Sequence, residues 1–281
     1  TITGKVTRTW KQVRHRIACV AKCLGDNDVS QDDKIAILGA NSAIYLESLF
    51  IPAWIGAVAV PLNTRWSDKE NIYAIEDSGS SVLFFDDTFF ETTEQIKSQS
   101  SVISTFVYMG EKNCPDWALS YNDMAYSGEE VVSITKGGND MAFIMYTGGT
   151  TGHPKGVMLS HAGIFSSSSA IAMDCQSNKD DIYLHAAPMF HGADFAFSNA
   201  VSISGGSHVF LPAFTPTALI NLISKYKVSM SLLVPTMIKM FLNDPSAKDA
   251  DLNSLKKLIY GASPMDEGTL NLLIETLPGL K

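Results

Sequence analysis

Residues 146–156 are the part of the chain whose residue types most clearly suit a chemical role. They read Tyr-Thr-Gly-Gly-Thr-Thr-Gly-His-Pro-Lys-Gly and lie between two short apolar runs, which predict strands over 141–146 and 156–159. The glycines allow the backbone to turn sharply and to approach a ligand closely. Successive backbone N–H groups, three threonine hydroxyls and the positive charge of Lys155 would together suit a polyphosphate.

This loop differs from a Walker A loop, in which Gly-Lys is followed by Ser or Thr and then by a helix. Here Lys155 follows Pro154 and precedes Gly156 and a predicted strand, so no helix N-terminus is implied at the phosphate. The alternative is a solvated hairpin loop whose threonines bind nothing. Three glycines, three threonines and a Pro-Lys-Gly sequence within one short run favour the phosphate site.

The run resembles the phosphate-binding signature of the adenylate-forming enzymes. This superfamily includes acyl-CoA synthetases, aryl-CoA ligases, firefly-type luciferases and the adenylation domains of peptide synthetases. Three further segments resemble its motifs and occur in its order, at 52–63, 187–192 and 260–265. A short match at 234–237 resembles the acyl-CoA synthetase branch.

The resemblance implies a ligase that acts in two steps. A carboxylate attacks the α-phosphate of ATP to give an acyl-adenylate and pyrophosphate, and a thiol, usually coenzyme A, then displaces AMP. Positioning and charge neutralisation supply the catalysis, with Mg²⁺ assisting. We expect a fatty acid as the carboxylic acid. The alternatives are an aryl-acid ligase, a carrier-protein loading enzyme, or a nucleotide-binding fragment without catalysis.

The resemblance also implies roles for individual residues of the loop. Its backbone and hydroxyls would bind the β- and γ-phosphates through Thr147, Gly148, Gly149, Thr150, Thr151 and Gly152. Lys155 would supply positive charge at the base of the loop, and the hydroxyl of Thr147 would approach Mg²⁺. His153 is expected to be solvated and has no assigned role.

Two later segments receive roles in the same way. The adenine ring would lie against a stretch of small residues, Gly261, Ala262, Ser263 and Pro264. His191 would lie near the carboxylate and the α-phosphate, so we expect Lys155 and His191 to be the catalytic residues. Under the amino-acid alternative, Asp194 is the nearby candidate to bind the α-amine, and His185 is expected to pack or bond locally.

Strands and helices that alternate along the chain would position these segments. Apolar residues at helical spacing predict a helix over 10–24, and runs such as 34–38 and 58–60 predict strands, so parallel sheets are expected. A glycine-rich stretch at 136–140 predicts a boundary. We expect two α/β subdomains, 1–140 and 141–281, of the layered αβαβα N-terminal domain that the resemblance implies, with the second subdomain incomplete.

Composition excludes several other classes of protein. Hydrophobic residues make up 46% of the chain and charged residues 18%, unlike a disordered protein. Acidic residues outnumber basic ones by 29 to 21, which argues against a nucleic-acid partner. Four cysteines are too few for a disulfide scaffold.

The sequence also carries expectations about location. The most apolar run, 44–62, is interrupted by Glu47, Pro52 and Gly56, so we expect no transmembrane segment. The start of the chain lacks the apolar region of a signal peptide, and a cytoplasmic location is expected. Peripheral contact with a membrane would suit a lipid substrate.

Several motifs of the resembled family lie beyond the last residue of this sequence. They are a Tyr-Gly-x-Thr-Glu motif, an aspartate for the ribose, a hinge, and a C-terminal domain with a lysine that contacts the carboxylate and the α-phosphate. We therefore expect an incomplete N-terminal domain whose missing partner is the C-terminal domain of the same protein. Alone, the 281-residue chain is expected to be nearly inactive.

Overall fold

The computed structural model describes residues 7–134, 136–148 and 153–280. These residues form two compact units. The first unit contains residues 7–40 and 44–165, and the second contains residues 41–43 and 166–280.

The first unit is built from strands and helices that mostly alternate. They are α1 (Trp10–Asp26), β1 (Lys34–Leu38), α2 (Ala43–Ile55), β2 (Val58–Pro61), α3 (Asp68–Ser78), β3 (Ser80–Phe85), α4 (Phe90–Gln99), β4 (Thr105–Tyr108), β5 (Leu119–Ser120), α5 (Tyr121–Ala125), β6 (Met141–Thr147) and β7 (Lys155–Ser160). A 3₁₀ turn at Asp87–Phe89 precedes α4. The seven strands form one sheet in the order β5-β4-β3-β1-β2-β6-β7, in which β7 is antiparallel to β6 and the other pairs are parallel.

Continuous apolar burial explains why the central strands lie inside this unit. Strands β1, β2 and β3 are buried along almost their whole length, as expected of parallel strands covered on both faces. Apolar side chains from these strands pack against those from helices, among them Leu38, Val60, Phe85, Ala74, Ile75 and Ile96.

Local sequence signals determine where the helices begin. Thr9 and Gln12 form a capping box at the start of α1, and Ser67 and Glu70 form another at the start of α3. The cap of α3 is Ser67, and Asp68 is the first residue of the helix. Ser67 has the extended backbone of a cap, and its hydroxyl accepts from the backbone N–H of Glu70.

The second unit repeats the strand–helix alternation. Helix α6 (His161–Asp174) leads into β8 (Ile182–His185), α7 (Gly192–Ile203), β9 (Ser207–Phe210), α8 (Pro216–Tyr226), β10 (Met230–Leu233), α9 (Pro235–Asn243), β11 (Lys257–Tyr260) and α10 (Glu267–Thr276), with a 3₁₀ turn at Pro245–Ala247. The four strands form a parallel sheet in the order β11-β10-β8-β9. Its core contains Leu184, Leu219, Ile223, Leu233, Ile238 and Phe241.

The α/β architecture expected from the sequence is confirmed. The compact units divide after Phe165, whereas the boundary drawn from the sequence lies before Met141. The reason for the difference is strand pairing, because β6 pairs with β2 through Ala59 and Phe143 and carries β7 with it into the first sheet. Across the described ranges, each helix is too short or too polar to cross a lipid bilayer.

Candidate active site

The β6–β7 hairpin brings together two of the predicted phosphate-binding residues. Thr147 ends β6, Lys155 begins β7, and the two face each other in the antiparallel register. Both residues are exposed, as is Gly148. Residues 149–152 lie outside the described part of the chain, so the roles of Gly149, Thr150, Thr151 and Gly152 stay predictions. The hairpin therefore holds a hydroxyl and an ammonium group at the two ends of the predicted loop.

Close packing fixes the base of this hairpin. Gly156 faces Tyr146 in the register, and a Cβ atom at Gly156 would lie 2.8 Å from Cγ2 of Ile144 and 3.0 Å from Cζ of Tyr146. The phenol of Tyr146 donates a hydrogen bond to Oδ2 of Asp77 at 2.6 Å. Burial, together with this hydrogen bond, raises the pKa of Tyr146 well above its usual range, so the phenol remains a donor. Only glycine fits at 156 without a shift of Ile144 or Tyr146.

His153 makes an aromatic contact that its sequence context did not reveal. Its exposed imidazole stacks on the ring of Tyr73, with centroids 4.7 Å apart and planes at 25°. This contact ties the lysine-bearing end of the loop to helix α3. It gives His153 a structural contact and no chemical role.

His191 lies in the turn that joins β8 to α7. It is the N-cap residue of α7, with φ −77° and ψ 137°, and its backbone N–H donates to the carbonyl of Pro188 at 3.1 Å. The imidazole is exposed, and its centroid lies 4.3 Å from that of the Phe190 ring. The side chain is thus exposed on the second unit, beside an aromatic ring that is itself buried.

The topology of the second sheet independently marks this turn. From β8 the chain adds β9 on one side and then returns to add β10 on the other, so the strand order reverses between β8 and β10. In open parallel sheets, ligands bind outside the carboxyl ends of the strands at such a switch point. The turn with His191 follows the carboxyl end of β8 and therefore lies at the expected crevice.

The predicted adenine segment lies at the same end of this sheet. Gly261 follows β11, and Ala262, Ser263 and Pro264 after it are exposed. Strand β10 lies between β11, which leads into the adenine segment, and β8, which leads into the turn with His191. The axes of β11 and β8 are therefore two strand spacings apart, roughly 10 Å. Ala262 has a left-handed backbone with φ +68°, which is costly for a residue with a side chain and is typical of functional loops.

Asp194 has buried partners, which does not fit the role that the amino-acid alternative would give it. The residue is fully buried, and its carboxylate accepts from the phenol of Tyr183 at 2.9 Å and from Nδ1 of His185 at 2.7 Å. Nε2 of His185 lies 2.9 Å from Nδ1 of His208, whose Nε2 lies 3.1 Å from the hydroxyl of Ser202. The prediction that His185 bonds locally is confirmed.

The hydrogen-bond donors and acceptors of Asp194, His185, His208 and Ser202 limit where the protons of this network lie. Burial, and the neighbouring His185, lower the pKa of His208 well below its usual range, so its ring is neutral. A carboxylate only accepts hydrogen bonds, so His185 donates from Nδ1 to Asp194. Nε2 of His185 and Nδ1 of His208 share one hydrogen bond, and Nε2 of His208 shares another with the hydroxyl of Ser202. Every group in the chain has a partner of the right type, and the chain joins α7 to β8 and β9.

Sequence reasoning did not identify Asn41 as part of this region. Its side chain is buried and bonds to the backbone of the turn that carries His191. No sequence signal pointed to it, because a lone asparagine before a helix is more often a helix cap. Its partners are 144 to 148 residues away.

The described residues limit how a metal ion could be held. Among them, no cluster of three or more His, Cys, Asp or Glu side chains could coordinate one. Mg²⁺ commonly keeps several waters and binds through substrate phosphates with few protein ligands. The exposed hydroxyl of Thr147 fits such a role as a single protein ligand.

The chain is similar over most of its length to known acid–CoA ligases. The chain is 31% identical over 263 residues to a feruloyl-CoA synthase of Amycolatopsis sp. The matched region covers 93% of this chain and 50% of that protein. It is 30% identical over 259 residues to the long-chain-fatty-acid–CoA ligase FadD13 of Mycobacterium tuberculosis, covering 92% of the chain and 50% of that protein. The chain therefore spans about half the length of the curated relatives it matches.

The fold is likewise similar to that of solved structures. An inhibitor-bound N-terminal domain of FACL13 from Mycobacterium tuberculosis superposes with a TM-score of 0.87 and 27% identity, covering 97% of this chain and 67% of that one. A sequence model of the family described as AMP-binding enzyme matches residues 2–280. The chain belongs to this family of AMP-binding enzymes, and its fold is similar to that of the N-terminal domain of FACL13.

Proposed function

We propose that the protein to which this chain belongs activates a fatty acid with ATP and transfers the acyl group to coenzyme A. The observation that carries the proposal is the pairing of Thr147 with Lys155 across the β6–β7 hairpin, in a member of the AMP-binding family. That pairing holds a hydroxyl and a positive charge at the ends of a loop rich in glycine and threonine.

In the first step, an oxygen of the carboxylate attacks the α-phosphorus of ATP. The bond from the α-phosphorus to the bridging oxygen breaks, and pyrophosphate leaves with the electron pair. Lys155 and the loop N–H groups would neutralise the charge that develops on the leaving group. The imidazole of His191 would donate a hydrogen bond to a carboxylate or phosphate oxygen, because it is exposed at the switch point of the second sheet.

In the second step, the sulfur of coenzyme A attacks the acyl carbon after losing its proton to solvent. The bond from this carbon to the AMP oxygen breaks, and AMP leaves with the electron pair. When bound, Mg²⁺ supplies charge neutralisation at the phosphates, with the Thr147 hydroxyl as its protein ligand. The segment Gly261–Pro264 would bind adenine with its backbone exposed and its side chains small.

The class of carboxylic acid has two candidates. The long-chain-fatty-acid–CoA ligase among the relatives supports a fatty acid. The feruloyl-CoA synthase, at a similar identity, supports an aromatic acid. Both relatives are named for a coenzyme A thioester, which supports coenzyme A as the acceptor. An amino-acid substrate is disfavoured, because the carboxylate of Asp194 already accepts from Tyr183 and His185.

Two broader features of the proposal concern the setting of the enzyme. The four cysteines are free thiols, which fits the reducing conditions of the cytoplasm. The separate C-terminal domain expected of the family would complete the site, and we propose that residues 1–281 alone turn over far more slowly than the whole protein.

The test is carboxylate-dependent exchange between ATP and pyrophosphate, measured on the full-length protein. The panel runs from acetate through long-chain fatty acids to ferulate, benzoate and amino acids. We expect the fastest exchange with long-chain fatty acids, whereas fastest exchange with ferulate would favour the aryl-acid candidate. Absence of exchange across the panel, with ATP still bound, would refute the proposed function.

A pair of lysine variants distinguishes a specific role of Lys155 in the reaction from the general effect of removing one positive charge. Lys155→Met should lower the exchange rate by about 100-fold, because a preorganised charge on the transition state is lost. Lys248→Met makes the same change at an exposed lysine of the second unit and should leave the rate unchanged. Equal rates for both variants would remove Lys155 from the site.

A further inference from the structure

Asn41 holds the backbone turn that carries His191. It lies between β1 and α2 and belongs to the second unit, where only 7% of its surface is exposed. Its Nδ2 donates to the carbonyl of His185 at 3.1 Å and to that of Ala187 at 2.8 Å, and its Oδ1 accepts from the N–H of Met189 at 2.9 Å. One side chain therefore bonds to three alternate residues of the same turn.

The donor and acceptor pattern fixes the orientation of this amide. A side-chain amide has two N–H donors and one carbonyl acceptor, and Asn41 uses both kinds of group on the turn. Rotating the amide by half a turn would place its oxygen against two carbonyls and its N–H groups against the N–H of Met189. Only asparagine has this length and this pattern, because aspartate lacks donors and glutamine is one methylene longer.

The far end of the turn is anchored separately. Asp194 lies in the first turn of α7, and its carboxylate bonds to Tyr183 and His185 on β8. Asn41 anchors the near end up to Met189, which is two residues before His191. The imidazole of His191 is exposed on a turn that Asn41 holds by its backbone on one side and the Asp194 side chain anchors on the other.

We propose that Asn41 is the positioning residue for His191 in the adenylation step. This inference rests on the proposed function, in which His191 meets the carboxylate and the α-phosphate. Asn41 is buried under the turn and acts through the backbone. A displacement of about 1 Å in a positioned group can cost about 100-fold in rate, so the loss of these bonds should slow the chemical step.

The test compares two variants of Asn41 with a matched control in the full-length protein. Asn41→Ala removes all three bonds, and Asn41→Asp keeps the acceptor for Met189 but places a carboxylate oxygen against two carbonyls. The control is Asn178→Ala, since the side chain of Asn178 also bonds to backbone, accepting from Asp180 at 2.9 Å. Asn178 precedes β8 and so lies at the other end of that strand.

Two readouts are measured on each variant, namely the kinetics of carboxylate-dependent ATP–pyrophosphate exchange and amide hydrogen exchange over 187–195. We expect both Asn41 variants to lower the maximal exchange rate by about 10- to 100-fold, with the KM for ATP changed less than about threefold. Amide hydrogens over 187–195 should exchange faster in these variants and at the wild-type rate in Asn178→Ala. If Asn41→Ala does not fold, Asn41→Asp carries the test.

Several outcomes would overturn the proposal. A maximal rate within about threefold of wild type in both Asn41 variants removes Asn41 from the adenylation step, given the 100-fold scale of a misplaced group. An equal loss in Asn178→Ala shows that the effect is general destabilisation. A wild-type protein that is silent with every acid refutes the proposed function instead, and amide exchange then decides alone whether Asn41 holds the turn.

Discussion

Replacing Asp194 gives the sharpest test of the buried hydrogen-bond network in the second unit, which joins Asp194 to Tyr183, His185, His208 and Ser202. Asp194→Ala would leave the phenol of Tyr183 and Nδ1–H of His185 without their acceptor, and all three residues are fully buried. An unsatisfied buried donor costs about 1–3 kcal/mol, so the two donors together predict a loss of about 2–6 kcal/mol in the free energy of unfolding.

Asp194→Asn should cost much less, at about 1 kcal/mol. The amide oxygen can still accept from Tyr183, and the amide N–H can donate to Nδ1 of His185 if that ring changes tautomer. His185 would then donate from Nε2 to His208, and His208 would donate to Ser202. Each bond is kept, because the hydroxyl of Ser202 at the end of the series can either donate or accept.

The assay is urea unfolding of the two variants and of Asp249→Ala, an exposed acid of the same unit, as control. Far-ultraviolet circular dichroism is the required probe, because the four tryptophans, at positions 10, 54, 66 and 117, all belong to the first unit. An Asp194→Ala variant within 1 kcal/mol of wild type, or an equal cost for Asn and Ala, would refute the reasoning at this scale of donor loss.

Three further predictions concern packing, a buried ion pair and pH. Gly156→Ala should lower the free energy of unfolding by about 1–3 kcal/mol, because the new methyl would overlap Ile144; urea unfolding checks this, and an unchanged midpoint would contradict it. Glu47→Leu should lower the free energy of unfolding by about 3–5 kcal/mol in the same assay, because it leaves the buried guanidinium of Arg16 as an unpaired charge. In the wild type this guanidinium donates to the Glu47 carboxylate at 2.9 Å. An unchanged free energy of unfolding would contradict the prediction. The pKa of His208 is lower in the folded protein than in the unfolded chain, so the unfolded chain protonates this imidazole first as the pH falls below 6.5. The free energy of unfolding should therefore decrease towards acid pH, by at most about 1.4 kcal/mol per pH unit. His208→Gln should flatten that slope between pH 6.5 and 5, and an identical slope would show that another group causes it.

Much of the fold follows from signals that lie close together in the sequence. Strands β1 and β2 are short apolar runs that end at Gly39 and Pro61, and helix α8 begins where Thr215 and Pro216 supply a cap and a preset φ. The short helix α5 was missed, because five residues are too few to show periodicity. The division between the units was also not visible, since it depends on the pairing of β6 with β2.

The candidate site was only partly predictable, for a related reason. The hairpin with Thr147 and Lys155 carries its own motif, so its position could be read locally. The bonds of Asn41 and the partners of Asp194 depend on contacts between strands and turns that only the folded chain brings together. Such contacts have no local pattern, and a single sequence therefore offers no sign of them.

The central claim is that a carboxylate oxygen attacks the α-phosphate of ATP. The direct test supplies the full-length protein with ATP, coenzyme A and a carboxylic acid labelled with oxygen-18, and then analyses the products by mass spectrometry. If an acyl-adenylate forms, one labelled oxygen must appear in AMP, because the bond from the acyl carbon to that oxygen breaks in the second step. Label found in inorganic phosphate, or in neither nucleotide nor phosphate while thioester forms, would contradict the account.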